Sequence, residues 1–153
     1  MSDLLEVRGL TLELPTAAGW VRPVNEVSLS IAGGESLGLV GESGSGKTML
    51  SLALMGLLPP GARVSGVATL ASESSAKKLT SLTEDEWQDV RGGQIAMIFQ
   101  EPMTSLNPIL RIITQIEEAI RAHEPGLARS VVNRRMIDAL EHAAVPEPDS
   151  SPY

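Results

Sequence analysis

The stretch that most narrows the possible folds of this chain is GESGSGKT, residues 41–48, set between SLGLV (36–40) and LSLALMGLL (50–58). It holds three glycines, two serines, a lysine and a threonine in eight positions. Glycine tolerates positive φ and presents no Cβ, so successive backbone N–H groups can turn inward around an anion. The apolar run that follows reads as a helix, and the first N–H groups of a helix are unpaired and lie at its positive end. The pattern therefore demands a strand, a phosphate-cradling loop and a helix in direct succession.

The spacing is G-x4-G-K-[ST], with Gly41, Gly46, Lys47 and Thr48 at the fixed positions and Glu42, Ser43, Gly44 and Ser45 between them. This is the Walker A pattern. Lys47 supplies a point charge that can reach β- and γ-phosphates. Thr48 offers a hydroxyl to Mg²⁺, an ion that prefers hard oxygen ligands. A plain glycine turn would need neither the apolar strand before it nor the apolar helix after it.

The remaining composition sets limits. A chain of 153 residues with 42% hydrophobic content suits one folded domain with a real core. Trp20, Trp87, Phe99 and Tyr153 are the whole aromatic set, so the core must be largely aliphatic. The 12 basic and 19 acidic residues give a net charge of −7, which argues against general nucleic-acid binding. A local nest of N–H groups can still hold phosphate on an acidic protein. With no cysteine, disulfides and thiolate metal sites are excluded. There is no secretory-type N-terminal run and no stretch long enough to span a bilayer, so the chain is expected to be cytoplasmic.

Along the chain, LLEVRGLTLEL (4–14) and VNEVSLSI (24–31) alternate as strands, with Pro15, Thr16 and Gly19 marking a turn. SLGLV reads as a buried central strand, and Lys47 to Leu58 as a helix stopped by Pro59-Pro60-Gly61. RVSGVATLA (63–71) is an expected strand and SESSAKK (72–78) a polar loop. Thr83 and Glu86 have the capping-box spacing for a helix that Gly92-Gly93 ends. QIAMIF (94–99) is expected to be a buried strand. Ile112, Ile113, Ile116 and Ile120, then Val132, Met136 and Leu140, predict two amphipathic helices.

With these motifs in place the sequence resembles the ATP-binding subunit of an ABC transporter. IAGGESLGLV leading into GESGSGKT carries the likeness, and IAMIFQEPMTSLNP (95–108) strengthens it, closest to the branch importing oligopeptides, dipeptides, nickel or glutathione. The resemblance covers essentially residues 3–145. It implies an α/β fold: a P-loop NTPase core of ABC type with N-terminal antiparallel strands and the start of a C-terminal helical subdomain. The core is expected over residues 1–100, and the Q-loop with the start of the helical part over 101–153. The resemblance also implies that Gln100, 53 residues beyond Lys47, is the Q-loop residue on the Mg²⁺ and γ-phosphate side.

Other implications are ATP and Mg²⁺ as bound species, transmembrane subunits and a second ATP-binding domain as partners, and a solute-binding protein acting indirectly. The place of work would be the cytoplasmic face of the membrane. Family members carry an adenine-stacking aromatic upstream of the loop. The matching position here is Leu14, and Trp20 lies six residues later, either as a substitute or as cover for a hairpin.

No LSGGQ signature, Walker B strand or switch histidine follows Gln100. The tract RGGQ (91–94) precedes it and reads as a turn, and His123 and His142 read as surface residues of helices. The sequence thus looks like the N-terminal portion of such a domain, expected to bind nucleotide without efficient hydrolysis. The competing reading is a non-catalytic nucleotide-binding or interaction module. A small P-loop kinase is disfavoured, because Arg111, Arg121, Arg129, Arg134 and Arg135 are too scattered for a basic lid.

Overall fold

The computed structural model describes residues 3–71, 76–100 and 106–145. The chain divides into two compact units, Met1–Met97 and Ile98–Tyr153.

The first unit is built on an antiparallel sheet of order β2-β1-β3-β4, formed by β1 (Asp3–Thr16), β2 (Gly19–Ala32), β3 (Arg63–Ala71) and β4 (Ala76–Lys78). β1 and β2 form one long hairpin closed by the Ala17-Ala18 turn, with Thr16 opposite Gly19. Strict alternation along β1 would send Leu10 and Leu12 to the face opposite Leu5 and Val7. All four are buried instead. The reason is a register shift beside Gly9, whose φ is 56°, which restores the apolar phase. Gly66 of β3 has positive φ and lies against the Arg8 and Gly9 carbonyls at the same point.

These β1 side chains pack with Val24, Ala68 and Leu70 from the sheet, Leu50 from α1 (Lys47–Leu54), Leu79 from a 3₁₀ turn, and Trp87 and Val90 from α2 (Glu84–Val90). α1 ends four residues short of the expected Leu58. The N–H of Leu57 reaches the Leu52 carbonyl at 2.9 Å and that of Gly56 reaches Ala53 at 3.3 Å, with Gly56 at φ 63°. This is a Schellman stop, so glycine ends the helix before the prolines can act. The buried side chain of α1 is Leu50. The capping box is formed as expected: the Glu86 N–H donates to the Thr83 hydroxyl, and the Thr83 N–H to the Glu86 carboxylate at 2.7 Å.

Three expectations are corrected. Ala76–Lys78, read as loop, pairs with β3 as an edge strand. SLGLV forms neither helix nor strand, with Leu37 and Leu39 about half exposed and Val40 95% exposed. QIAMIF is likewise not a strand; Gln94 and Ile95 close a turn from Val90 and Arg91, and Ile98 is 93% exposed. A buried parallel strand needs hydrogen-bonded neighbours on both sides. Among the described residues the sheet is antiparallel throughout, and the one parallel pairing is the isolated Arg91–Ile95 bridge.

The second unit contains α3 (Ile112–His123) and α4 (Arg129–His142), which pack on each other. Val132 and Leu140 of α4 are its buried side chains among the described residues. Gln115 fixes the entry to α3, its amide accepting from the Asn107 N–H at 2.8 Å and donating to the Asn107 and Leu110 carbonyls. An ion pair joins Arg135 of α4 to Glu124.

Candidate phosphate-binding site

The loop 41–48 runs straight into α1, whose first residue is Lys47. Gly44 and Gly46 take φ of 81° and 90°, the left-handed conformations that the glycine spacing requires. Gly46 caps the helix through backbone alone: no side chain caps it, and the Leu50 N–H closes the first helical bond onto the Gly46 carbonyl at 2.8 Å. The Ser45 N–H turns back to the Glu42 carbonyl at 3.2 Å, which curls the loop.

Two close approaches explain why glycines stand where they do. A Cβ on Gly41 would sit 2.7 Å from the Ser45 hydroxyl, and one on Gly46 would overlap the Pro23 carbonyl of β2. The loop is therefore braced from below by the antiparallel sheet.

Lys47 folds over this loop. Its ammonium donates to the carbonyls of Gly41 and Glu42, both at 2.7 Å, and to the Ser45 hydroxyl at 3.2 Å. A cavity of about 340 Å³ opens here. Its polar side is Gly41, Ser45, Gly46 and Lys47; its other side is Pro23, Val24, Asn25 and Val27 of β2, with Leu39, Val40 and Leu50. A curled glycine loop, a helix N-terminus and one cation favour an anion with several oxygens.

The other site residues expected from sequence fall differently. Glu42, Ser43 and Gly44 are exposed along the loop. Thr48 is the second residue of α1 and is also exposed, so its hydroxyl is open to a metal ion. Gln100 is exposed and belongs to the second unit, so the geometry of the cradle is that of residues 41–48 alone. Most of the EPMTSLNP tract, at 101–105, lies outside the described residues. Among the described residues no group of three or more His, Asp or Glu side chains could hold a metal by itself. The β2 wall, Pro23 to Val27, escaped the reading of the sequence. Its only signal was an apolar alternation that also suits an ordinary strand.

Comparison with known proteins shows the family and the fold. The profile of the ABC transporter family matches residues 24–152. The dipeptide transport ATP-binding protein DppD of Lactococcus lactis is 38% identical over 144 residues, covering 94% of this chain and 40% of its own. The oligopeptide transport ATP-binding protein OppD of Salmonella typhimurium is 40% identical over the same length, covering 42% of its own chain. The chain thus spans about two fifths of the length of these relatives. A solved structure, the ATP-binding cassette MJ0796 in a dimeric post-hydrolysis state bound to ADP and Pi, superposes with a TM-score of 0.70 over 94% of this chain at 22% identity. It shares the fold. The phosphate loop, the sheet that braces it and the profile spanning both units lead to one conclusion: the chain belongs to the ABC transporter family.

Proposed function

We propose that the chain binds Mg²⁺-ATP through residues 41–48 as part of an ATP-binding component of a peptide importer. The observation that carries this reading is the Lys47 ammonium held over the curled glycine loop that opens α1. Lys47 would leave its three oxygens for the β- and γ-phosphates. The N–H groups of Gly44 and of Gly46, Lys47 and Thr48 would take phosphate oxygens, with Gly41, Glu42, Ser43 and Ser45 forming the turn. Thr48 fits Mg²⁺ as a single hard-oxygen ligand, the remaining positions going to phosphate and water, as is usual for that ion. Gln100 keeps the role that the family resemblance implies, that of the Q-loop residue for the metal and γ-phosphate.

The peptide assignment is supported by the names of the relatives, OppD and DppD. Partners in this reading are transmembrane subunits and a second ATP-binding domain, with a solute-binding protein acting through them at the cytoplasmic face of the membrane. For residues 1–153 the role in this reading is nucleotide binding.

The test is thermal or urea unfolding of the chain with and without excess Mg²⁺-ATP. A ligand at a hundred times its Kd adds about 2.7 kcal/mol to the native state. That gain is expected for the wild-type chain and absent in Lys47→Ala. Equal unfolding of the unmutated chain with and without nucleotide would sink the proposal.

A further inference from the structure

The three oxygens that hold the Lys47 ammonium are not equivalent. The Gly41 and Glu42 carbonyls, both at 2.7 Å, belong to the backbone and are set by the path of the loop. The third, at 3.2 Å, is the Ser45 hydroxyl. It is the one partner of the three that a side chain supplies.

The curl of the loop puts that hydroxyl in place. The Ser45 N–H donates to the Glu42 carbonyl at 3.2 Å, which draws residue 45 back toward residue 42. The hydroxyl then lies over Gly41, where an added Cβ would meet it at 2.7 Å. Unlike Gly44 and Gly46, Gly41 has a φ outside the left-handed region. The next atoms such a Cβ would meet are the Ser45 Cβ at 3.5 Å and the Lys47 Nζ at 3.9 Å, both ordinary contact distances. A side chain at 41 would therefore displace one thing above all, the Ser45 hydroxyl from its place beside Lys47.

Toward an ammonium a hydroxyl can only accept. The Ser45 bond thus favours the folded-back Lys47, and a phosphate that recruits Lys47 has to outbid it. A contact made in the free state opposes binding by its own strength, so its removal raises affinity. Removal of a contact made in the complex lowers it.

We propose that Ser45 is a positioning residue that acts through Lys47 as an autoinhibitory latch, holding the ammonium in the closed loop and lowering the affinity for polyphosphate. The proposal rests on the nucleotide-binding reading above and concerns the regulation of that same site.

The experiment titrates the whole chain and its Ser45→Ala variant with Mg²⁺-ATP and with inorganic tripolyphosphate, followed by calorimetry. One exposed hydrogen bond is worth about two- to fivefold in affinity, and Ser45→Ala is expected to bind both ligands tighter by that factor. Gly41→Ala is expected to tighten binding in the otherwise unchanged chain and to add nothing on the Ser45→Ala background. The lysines are Lys47, Lys77 and Lys78, so NMR of the free chain with isotope-labelled lysine reads the latch directly. The Lys47 ammonium protons are expected to exchange with water faster in Ser45→Ala. Equal or weaker binding by Ser45→Ala overturns the proposal and assigns the hydroxyl to the complex. Unchanged ammonium exchange overturns it too, as do equal effects of Gly41→Ala on both backgrounds. All three leave nucleotide binding intact. Binding of neither ligand by the unmutated chain removes the parent reading, and this one with it.

Discussion

Gly46 lies directly against the Pro23 carbonyl, so the phosphate loop and the antiparallel sheet meet where neither can accept another carbon atom. The contact joins a positive-φ position of the loop to the strand that forms the aliphatic wall of the cavity. It ties the shape of the loop to the seating of β2.

Gly46→Ala is therefore expected to carry two costs. The left-handed conformation costs a non-glycine residue roughly 1–2 kcal/mol, and relieving the overlap with Pro23 adds to it. Gly44→Ala shares the positive φ of 81° but its Cβ meets nothing within 4 Å, so it carries the first cost alone. Urea unfolding of both variants reads the difference. Equal losses would mean that β2 yields freely and does not brace the loop.

Arg91 holds the end of α1. Its guanidinium donates to the Met55 carbonyl at 2.8 Å and to Gly56 at 2.9 Å, while also pairing with Glu84 at 2.5 Å. Arg91→Lys keeps the charge but loses the planar fork that serves all three. A loss of about 1–2 kcal/mol is expected from the two carbonyls. Glu84 is 70% exposed, and Glu84→Gln is expected to cost under about 1 kcal/mol. Denaturant midpoints of the two variants check the ranking, and a larger loss from Glu84→Gln would reverse the assignment.

Gly56 and Trp87 form a second tight contact, since a Cβ on Gly56 would enter the indole ring. Gly56→Ala alone is expected to destabilise by more than about 2 kcal/mol, combining the positive-φ cost with overpacking. Placed on a Trp87→Leu background, the same change is expected to cost only the conformational part. A double-mutant cycle measures the coupling, and additive losses would place the strain elsewhere.

The α2 capping box gives stability a defined pH dependence. Backbone and side-chain hydrogen bonds from Thr83 hold the Glu86 carboxyl below its ordinary value of 4.5. A carboxylate with a lowered native pKa stabilises fully above the unfolded value and ceases to do so as pH falls through the native one. Unfolding midpoints measured from pH 6 downward are expected to lose this contribution below about 4.5. Glu86→Gln is expected to flatten that limb while leaving a neutral cap. An unchanged acid limb in the variant would assign it to other carboxylates.

The legible part of this fold was what local chemistry decides. The Thr83–Glu86 cap, the strand 63–71 and the helical spacings at 112–120 and 132–140 depend on neighbours close in sequence, and they formed as read. The α1 stop was misread because two prolines looked stronger than the glycine three residues earlier. Gly56 already satisfies the last carbonyls, so the helix never reaches Pro59.

The apolar runs 36–40 and 94–99 were misread for a different reason. Composition can say that Leu37, Leu39, Ile98 and Phe99 suit burial, but it cannot say which strands lie alongside them. Among the described residues no ladder flanks either run. The cavity was half legible. Its loop follows from spacing, whereas the β2 wall depends on the hairpin's placement across a chain separation that no local pattern records.

The three bonds made by Lys47 have a consequence for ionic specificity. An ammonium has three N–H donors, and here each has its own oxygen before any ligand arrives. Association with an anion is then an exchange of one oxygen shell for another, not the filling of an empty one. Chloride or a lone carboxylate offers the ammonium little that Gly41, Glu42 and Ser45 do not already give. In the proposed reading, only a ligand that brings several negative oxygens at once would tip the exchange, so common small anions are expected to leave the three Lys47 bonds in place.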